Sequence, residues 1–485
     1  MRLVKNISMT ASSSALAQGV AAIATPALTR LYSPDQYATW AIFASIAALF
    51  SGLATMRYEL AVVLPKERAT AAAIGIGGIG IALVTSVSVG FVLWIAGGWF
   101  YSDINEVSVE YWWILVPITI LSTAIYQISL AWCTREAKFL AYAAAQIALP
   151  ILIISGQIIG AFACQGGGMG LILGSVCGQV ITTCALLLFV CWKNDHVVWN
   201  ANRMKVICGA LVAYKQYPVY MTPYSLVGVF RDRLAYFLLG RFGAPDTVGF
   251  YGVAARIANI PNSFVSSALR PVFFHHASGS NISMLEVPIL IICRTLGIMA
   301  VLFLAPCVVQ ATWLTKIVLG PNWGVAAPYV VALSIPMIPL LMGNWLDRMF
   351  DVLGRQRMAL GLELVFSMVA MTGLILGYFI FRDLYFAVCI QSGLLTIYYL
   401  YWLCVLFRIA GFKQSGLIRI IFEIFLIGSL AIGVDLVFAA FMPPAMAFAT
   451  ALLAAMIVAS LYVKVACYQR CQIRQNLQKA AKYVP

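Results

Sequence analysis

Charge is scarce in this chain. Only 10% of its 485 residues are Asp, Glu, Lys or Arg, against 62% that are hydrophobic, and the mean hydropathy is +0.93. Soluble domains carry roughly a quarter charged residues, so this deficit alone excludes the globular classes. Histidine is rarer still, with three residues, and the twelve cysteines are scattered without a CxxC pair or any Cys/His spacing suited to a metal. No metal site is expected, and the thiols read as membrane-buried. A GxxxxGK[ST] loop is absent, which removes ATP hydrolysis through a P-loop. No Ser/His/Asp or paired-carboxylate arrangement stands out, so no catalytic residues and no cofactor are expected. Long polar segments are lacking too, and with them a soluble catalytic domain.

What the chain has in abundance is apolar runs. A spanning helix needs about 20 apolar residues. Runs bounded by charged or Pro/Gly-marked breaks predict spans near 8–29, 38–62, 71–96, 111–132, 140–163, 169–191, 217–240, 247–269, 288–312, 326–346, 361–381, 384–407, 417–440 and 445–466. The expected fold class is an all-α polytopic membrane protein of about 14 transmembrane helices. The first apolar stretch follows MRLVKN, contains Gln18 and Pro26, lacks a convincing cleavage site, and reads as a retained helix.

The net charge of +14 would suggest a nucleic-acid partner in a soluble protein. Here the positive-inside rule absorbs it. Most Lys and Arg fall on links or helix ends of one side, among them Arg2, Lys5, Lys66, Arg68, Arg135, Lys138, Lys205, Arg355, Lys413 and the tail from Lys464 to Lys482. Arg30, Arg241, Lys316 and Arg382 fall on the other. That asymmetry predicts two cytoplasmic termini and an even number of spans.

The chain also repeats itself. Arg30-Leu-Tyr-Ser-Pro34-Asp35, with Trp40 after it, matches Arg241-Phe-Gly-Ala-Pro245-Asp246, with Tyr251 after it, each position 211 residues on. Both copies sit at the same point of a six-helix unit, and an even unit makes the halves parallel repeats. The expected organisation is a six-helix bundle at 1–192, a basic cytoplasmic link at 193–216, a second six-helix bundle at 217–410, and an appended helix pair with a basic tail at 411–485. Gly75-Ile-Gly77-Gly-Ile-Gly80 matches GxGxxG but lies inside an apolar helix, without a preceding strand or a later acidic residue. Its glycines, like Gly156/Gly160 and Gly166/Gly170/Gly174/Gly178, are expected to let helices approach closely.

Ionisable groups within spans are the informative residues. Each costs ~2.5–3.5 kcal/mol at the bilayer centre on insertion scales and so needs a partner or water. In the eighth span Arg256 shares a face with Gly249, Gly252, Asn259, Ser263 and Ser267 at about 100° per residue. In the seventh, Asp232, Arg233, Thr222, Ser225 and Tyr236 cluster on one face and Arg231 points roughly opposite. In the second, Glu59 aligns with Ser51 and Thr55, and Arg57 sits on the other side. The first contributes a Ser14–Gln18–Thr25–Thr29 stripe, whereas Glu423 and Asp435 of the appended pair read as packing charges. The arginine excess predicts an anionic ligand, because a guanidinium binds phosphate oxygens bidentately. Arg256, Arg57, Arg233, Arg231 and Asn259 are the substrate-binding candidates; Glu59 and Asp232 are candidates for coupling to H+ or Na+.

The segments Leu31-Tyr-Ser-Pro-Asp-Gln-Tyr37 and Arg57-Tyr-Glu-Leu-Ala-Val-Val-Leu-Pro65-Lys66 resemble the start of bacterial oligosaccharide flippases of the Wzx type. Gly249-Phe-Tyr251-Gly-Val-Ala-Ala-Arg256-Ile-Ala-Asn-Ile-Pro261 is similar to that family's eighth helix, and Gly320-Pro-Asn-Trp323 to its link before the tenth. The superfamily also includes drug/cation antiporters and the peptidoglycan-precursor flippase. The resemblance implies two six-helix bundles that work by alternating access in the bacterial inner membrane. It implies a substrate of undecaprenyl-diphosphate-linked sugar repeat units for surface polysaccharides such as O-antigen, lipopolysaccharide or exopolysaccharide, turned from the cytoplasmic to the periplasmic leaflet. Its expected partners are the lipid-linked oligosaccharide, membrane lipid, and a polysaccharide polymerase with other assembly proteins. By matching positions, the resemblance implies Arg57 and Arg256 as diphosphate-binding candidates; cations of the family's first helix have no mid-span counterpart here. Two alternatives stand beside it: a drug/cation antiporter of the same fold, and an integral-membrane polysaccharide polymerase or ligase. A cation substrate would favour carboxylates, and an enzyme of this kind a large outward loop, whereas the longest outward link, at 97–110, is short.

Overall fold

The computed structural model describes residues 2–100, 112–164, 168–192, 203–242, 245–279 and 282–481. Most of the outward link at 97–110, the first part of the basic link and Gly166 lie outside them. Among the described residues the regular elements are all helices. In chain order they are α1 (Arg2–Leu31), α2 (Pro34–Ala54), α3 (Tyr58–Ala61), α4 (Arg68–Phe100), α5 (Trp112–Arg135), α6 (Phe139–Ala163), α7 (Met169–Trp192), α8 (Arg203–Ala213), α9 (Thr222–Phe242), α10 (Pro245–Gly279), α11 (Glu286–Val309), α12 (Ala311–Leu319), α13 (Ala327–Ser334), α14 (Met337–Gly343), α15 (Met349–Val352), α16 (Gln356–Phe381), α17 (Leu384–Ile409), α18 (Gln414–Phe441) and α19 (Pro444–Ala481).

Ten of these, α2, α4 to α7, α11 and α16 to α19, are long and apolar enough to cross a membrane. An eleventh crossing is made if the segments Pro321–Ser334 and Met337–Leu346, bent by 45°, count as one. The span expected at 326–346 is therefore broken. Pro336 lies in the break and Pro339 in the first turn after it, and proline removes a helix hydrogen bond and crowds the preceding turn. The fourteen spans expected from the sequence would also need α1, α9 and α10, of 30, 21 and 35 residues. Those three helices are more polar: α9 carries Arg231, Asp232 and Arg233 in succession, and α10 carries Arg256.

The span expected at 38–62 ends early, at Ala54. Met56 and Arg57 take left-handed conformations, with φ of 47° and 62°, and α3 starts after them. The link at 193–216 contains α8, whose Ile207 and Leu211 pack on Gly77 of α4.

The chain forms two compact units, one of 1–260 with 360–387 and the other of 261–359 with 388–485. In the first, α6 and α7 meet along the glycines expected to bring helices together. A Cβ on Gly156 would stand 2.7 Å from the Gly174 carbonyl oxygen, and Gly160 and Gly170 oppose each other equally closely. Such small-residue seams let backbones touch where lipid offers no hydrophobic drive to association. Gln157 completes the seam: its carbonyl accepts the Tyr32 hydroxyl at 2.7 Å, and its amide donates to Ser175 Oγ at 2.8 Å, which also receives the Trp40 indole N–H. Phe43, Val116, Ile120 and Ile172 form the apolar core between α2, α4, α5 and α7.

The matched motifs of the repeat each open a helix. Pro34 and Pro245 are the first residues of α2 and α10, with Asp35 and Asp246 in the first turn. Proline there loses no helix hydrogen bond, and an acid suits the positive end of the helix dipole. The two openings touch, because Gly249 faces the Pro34 carbonyl so closely that a Cβ would collide with it.

In the second unit α11 packs against α14, α18 and α19. Arg294 pairs with Glu423 at 2.7 Å and stacks on Tyr462, so Glu423 is a packing charge as the sequence suggested. Arg270 of α10 donates to Asp347 at 3.0 Å, and Asn344 donates to Asn262 and Ser266.

Candidate functional site

The ionisable groups singled out in the first unit gather beside α3 and on α9, α10 and α16. At the end of α2 the left-handed pair reverses the chain so that Arg57 meets Glu59, Nη1 to Oε1, at 3.2 Å. Arg57 also donates through Nε to Ser225 Oγ of α9 at 2.7 Å, and Glu59 accepts the Thr55 hydroxyl. A non-glycine residue in this conformation costs of order 1–3 kcal/mol and persists where its surroundings over-determine it. The reading of Arg57 and Glu59 on opposite sides of one helix is thereby corrected: the helix stops between Ser51 and Glu59, and its phase is reset.

On α9 a second correction applies. Arg231 does not point away from Asp232; its Nε and Nη2 both lie 2.8 Å from Asp232 Oδ1. Its Nη1 reaches Glu363 of α16, and its guanidinium lies 4.2 Å over the Phe366 ring. A long guanidinium stem swings around its helix toward a carboxylate, and α16 supplies one, Glu363, that is not among the site residues expected from the sequence. Arg231 is 14% exposed and fastens α9 to α16, whereas the Asp232 side chain is 62% exposed.

Arg233 and Arg256 have a different setting. Among the described residues neither has a carboxylate within ion-pair distance. Arg233 lies 5.7 Å over the Tyr236 ring, which meets Tyr251 edge-on at 5.3 Å. Gly252 leaves room for that ring. Arg256 is half-buried and donates to the Tyr37 hydroxyl at 3.0 Å and to the Ala21 carbonyl at 3.3 Å, linking α10 to α2 and α1. Asn259, one turn further along α10, is exposed. The Gly249 and Gly252 part of the expected polar stripe packs on α2 and α9, so only the later part of that face is open. The arrangement can hold an anion: two guanidinium groups with hydrogen-bonding capacity left over, bordered by tyrosines that are apolar on the ring and polar at the tip.

A family model described as "Polysaccharide biosynthesis protein" matches residues 13–328. The chain belongs to this polysaccharide biosynthesis protein family. No curated protein matches it. Among solved structures, the lipid II flippase MurJ in an inward closed conformation aligns with a TM-score of 0.70 and 12% identity, covering 97% of this chain and 100% of that one. An inward-facing multidrug resistance MATE family transporter of the MOP superfamily aligns with a TM-score of 0.52 and 13% identity, over 82% of this chain and 95% of that one. A MATE in complex with MaL6 gives 0.55 and 14%, over 84% and 96%. This member of the polysaccharide biosynthesis family therefore has the helical membrane fold that MurJ and MATE transporters share.

Proposed function

We propose that the protein is a flippase that carries undecaprenyl-diphosphate-linked oligosaccharide repeat units from the cytoplasmic to the periplasmic leaflet by alternating access, with both termini cytoplasmic. The observation that carries this reading is the pair Arg233 and Arg256, two cations within helices and without a carboxylate partner among the described residues. Intramembrane cations are costly and mark ligand paths. The family's description and a fold shared with a lipid II flippase support a lipid-linked substrate. The antiporter alternative is weakened because Glu59, Asp232 and Glu363 are each engaged by an arginine. Outward movement of a diphosphate is also favoured by an inside-negative potential, by ~2.3 kcal/mol per charge per 100 mV. Proteoliposomes containing the protein should expose a labelled lipid-linked oligosaccharide to an impermeant sugar-modifying reagent faster than empty vesicles, with the lipid–sugar linkage intact. Equal rates would refute transport, and cleavage of the linkage would favour the enzyme reading.

Coupling belongs to the same proposal. Neutralising Glu59 or Asp232 would loosen its hold on Arg57 or Arg231, because an uncharged carboxyl no longer attracts the guanidinium. Transport by Glu59→Gln or Asp232→Asn is expected to lose its dependence on a proton or sodium gradient. Unchanged gradient dependence in both variants would remove these carboxylates from the coupling.

A further inference from the structure

The two acids within α18 have opposite surroundings. A buried stripe of Leu417, Ile420, Ile424, Gly428 and Asp435 runs along the side of α18 that packs on α11. The two helices advance together in one direction, since Gly297 meets Ile424 and Val301 meets Gly428. Near one end Glu423 takes Arg294 at 2.7 Å and Arg419 at 3.4 Å. Asp435 lies about 18 Å further along the same helix. It is 7% exposed, while its neighbours Val434 and Leu436 face outward. Among the described residues it forms neither an ion pair nor a hydrogen bond. The packing charge expected from the sequence is therefore found at Glu423 and not at Asp435.

The helices packed most closely on α18 are α11 and α19. From α11, the thiol of Cys307 is within electrostatic reach of Asp435. The other titratable groups of α11 lie toward the opposite end: Glu286 beside Lys413, Cys293 beside Met342, and Arg294 on Glu423. Residues 444–461 of α19 include no titratable group, and Tyr462 is stacked under Arg294. An ionised carboxylate in this seam has neither water nor a cation to offset its charge, and a buried acid so placed takes a proton instead. A metal ion would require several oxygen ligands, and no cluster able to hold one occurs among the described residues. We propose that Asp435 is a proton-binding site whose occupancy is linked to the docking of α18 on α11. The docked helix holds the neutral acid, and exposure of the side chain to water releases the proton. This linkage holds whatever molecule the protein carries.

Infrared difference spectroscopy on the full chain in nanodiscs near neutral pH should show the C=O stretch of a protonated carboxylic acid. Asp435→Asn should remove that band, and Glu423→Gln, at the paired acid, should leave it. Unfolding in detergent gives a second readout. An exposed aspartate is ionised above about pH 4, so near neutral pH unfolding of the wild type releases a proton that unfolding of Asp435→Asn does not. The wild-type unfolding equilibrium should therefore rise against that of the variant by up to about tenfold per pH unit. The midpoint of Asp435→Asn minus that of the wild type should grow more positive as pH rises. The proposal fails if Asp435→Asn leaves the acid band in place, or if the difference in midpoints does not change with pH; an aspartate ionised within the seam gives both results. Failure of Asp435→Asn to insert would also overturn it, because a seam that holds a neutral acid accepts an amide of the same shape.

Discussion

Arg256→Ala is expected to lower the flipping rate by ~30-fold or more while the protein still inserts at normal levels, because truncating one partner of a buried charge contact costs about 2–5 kcal/mol. The site geometry supplies the control that separates substrate from scaffold. Arg256 joins α10 to α2 through the Tyr37 hydroxyl. Tyr37→Phe removes that acceptor and leaves the guanidinium with its charge and its Ala21 contact, so this variant should lose clearly less than Arg256→Ala. Arg256→Lys should recover transport in part, since lysine offers a point charge where arginine offers a fork. Rates measured in proteoliposomes at matched protein content decide the matter. Equal losses in Arg256→Ala and Tyr37→Phe would make the residue a fastener, and full activity of the alanine variant would place the cationic site elsewhere.

Gly174→Ala should be a strongly damaging small substitution in the first unit. A Cβ there would lie inside the backbone of Gly156 and Gln157, and backbone cannot rotate away as a flexible side chain can. Overpacking of this kind costs typically 1–3 kcal/mol, and two helices forced apart place this case at about the upper end. Gly80→Ala is the matched control, because a Cβ at Gly80 meets nothing within 4 Å. It should change stability by no more than ~1 kcal/mol, the scale of helix propensity. Thermal unfolding in detergent, read from a buried tryptophan, should show a lowered midpoint for the first variant alone. Indistinguishable midpoints would mean that the α6–α7 seam is looser than its geometry indicates.

These two residues were legible for opposite reasons. Glycines repeating every four residues in an apolar run announce a helix seam from local spacing alone, and Gly156, Gly160, Gly170 and Gly174 form one. Arg256 stood out because a lone cation amid apolar residues has no local explanation. Proline and aspartate at matched positions, legible in the sequence as a repeat between spans, turn out to open α2 and α10, since helix initiation is local chemistry. What escaped was decided by distant partners. Nothing in Thr55-Met-Arg57 forbids a helix; Arg57 leaves it to meet Ser225, 168 residues away. Two left-handed residues then reset the rotation on which any face assignment depends, so Arg57, expected on the other side, meets Glu59, which keeps its expected neighbour Thr55. Arg231 was misplaced for a related reason, as its second carboxylate, Glu363, stands 132 residues on. A carboxylate near the start of the span expected at 361–381 is the signal available in the sequence.

The meeting of α2 and α10 bears on how a duplicated sequence can share one crossing point. Position 249 corresponds, 211 residues back, to Ala38, which keeps its methyl group and is 2% exposed. The close approach to Pro34 is made by removing a Cβ from one copy only. Two helices that cross need a notch in just one of them, so the copies were never required to stay alike here, and they are no longer interchangeable. A chain assembled from two copies of its own first half would carry alanine in the place of Gly249 and jam against the Pro34 carbonyl. The asymmetry of a single hydrogen against a methyl group thus gives each copy a fixed place at the joint.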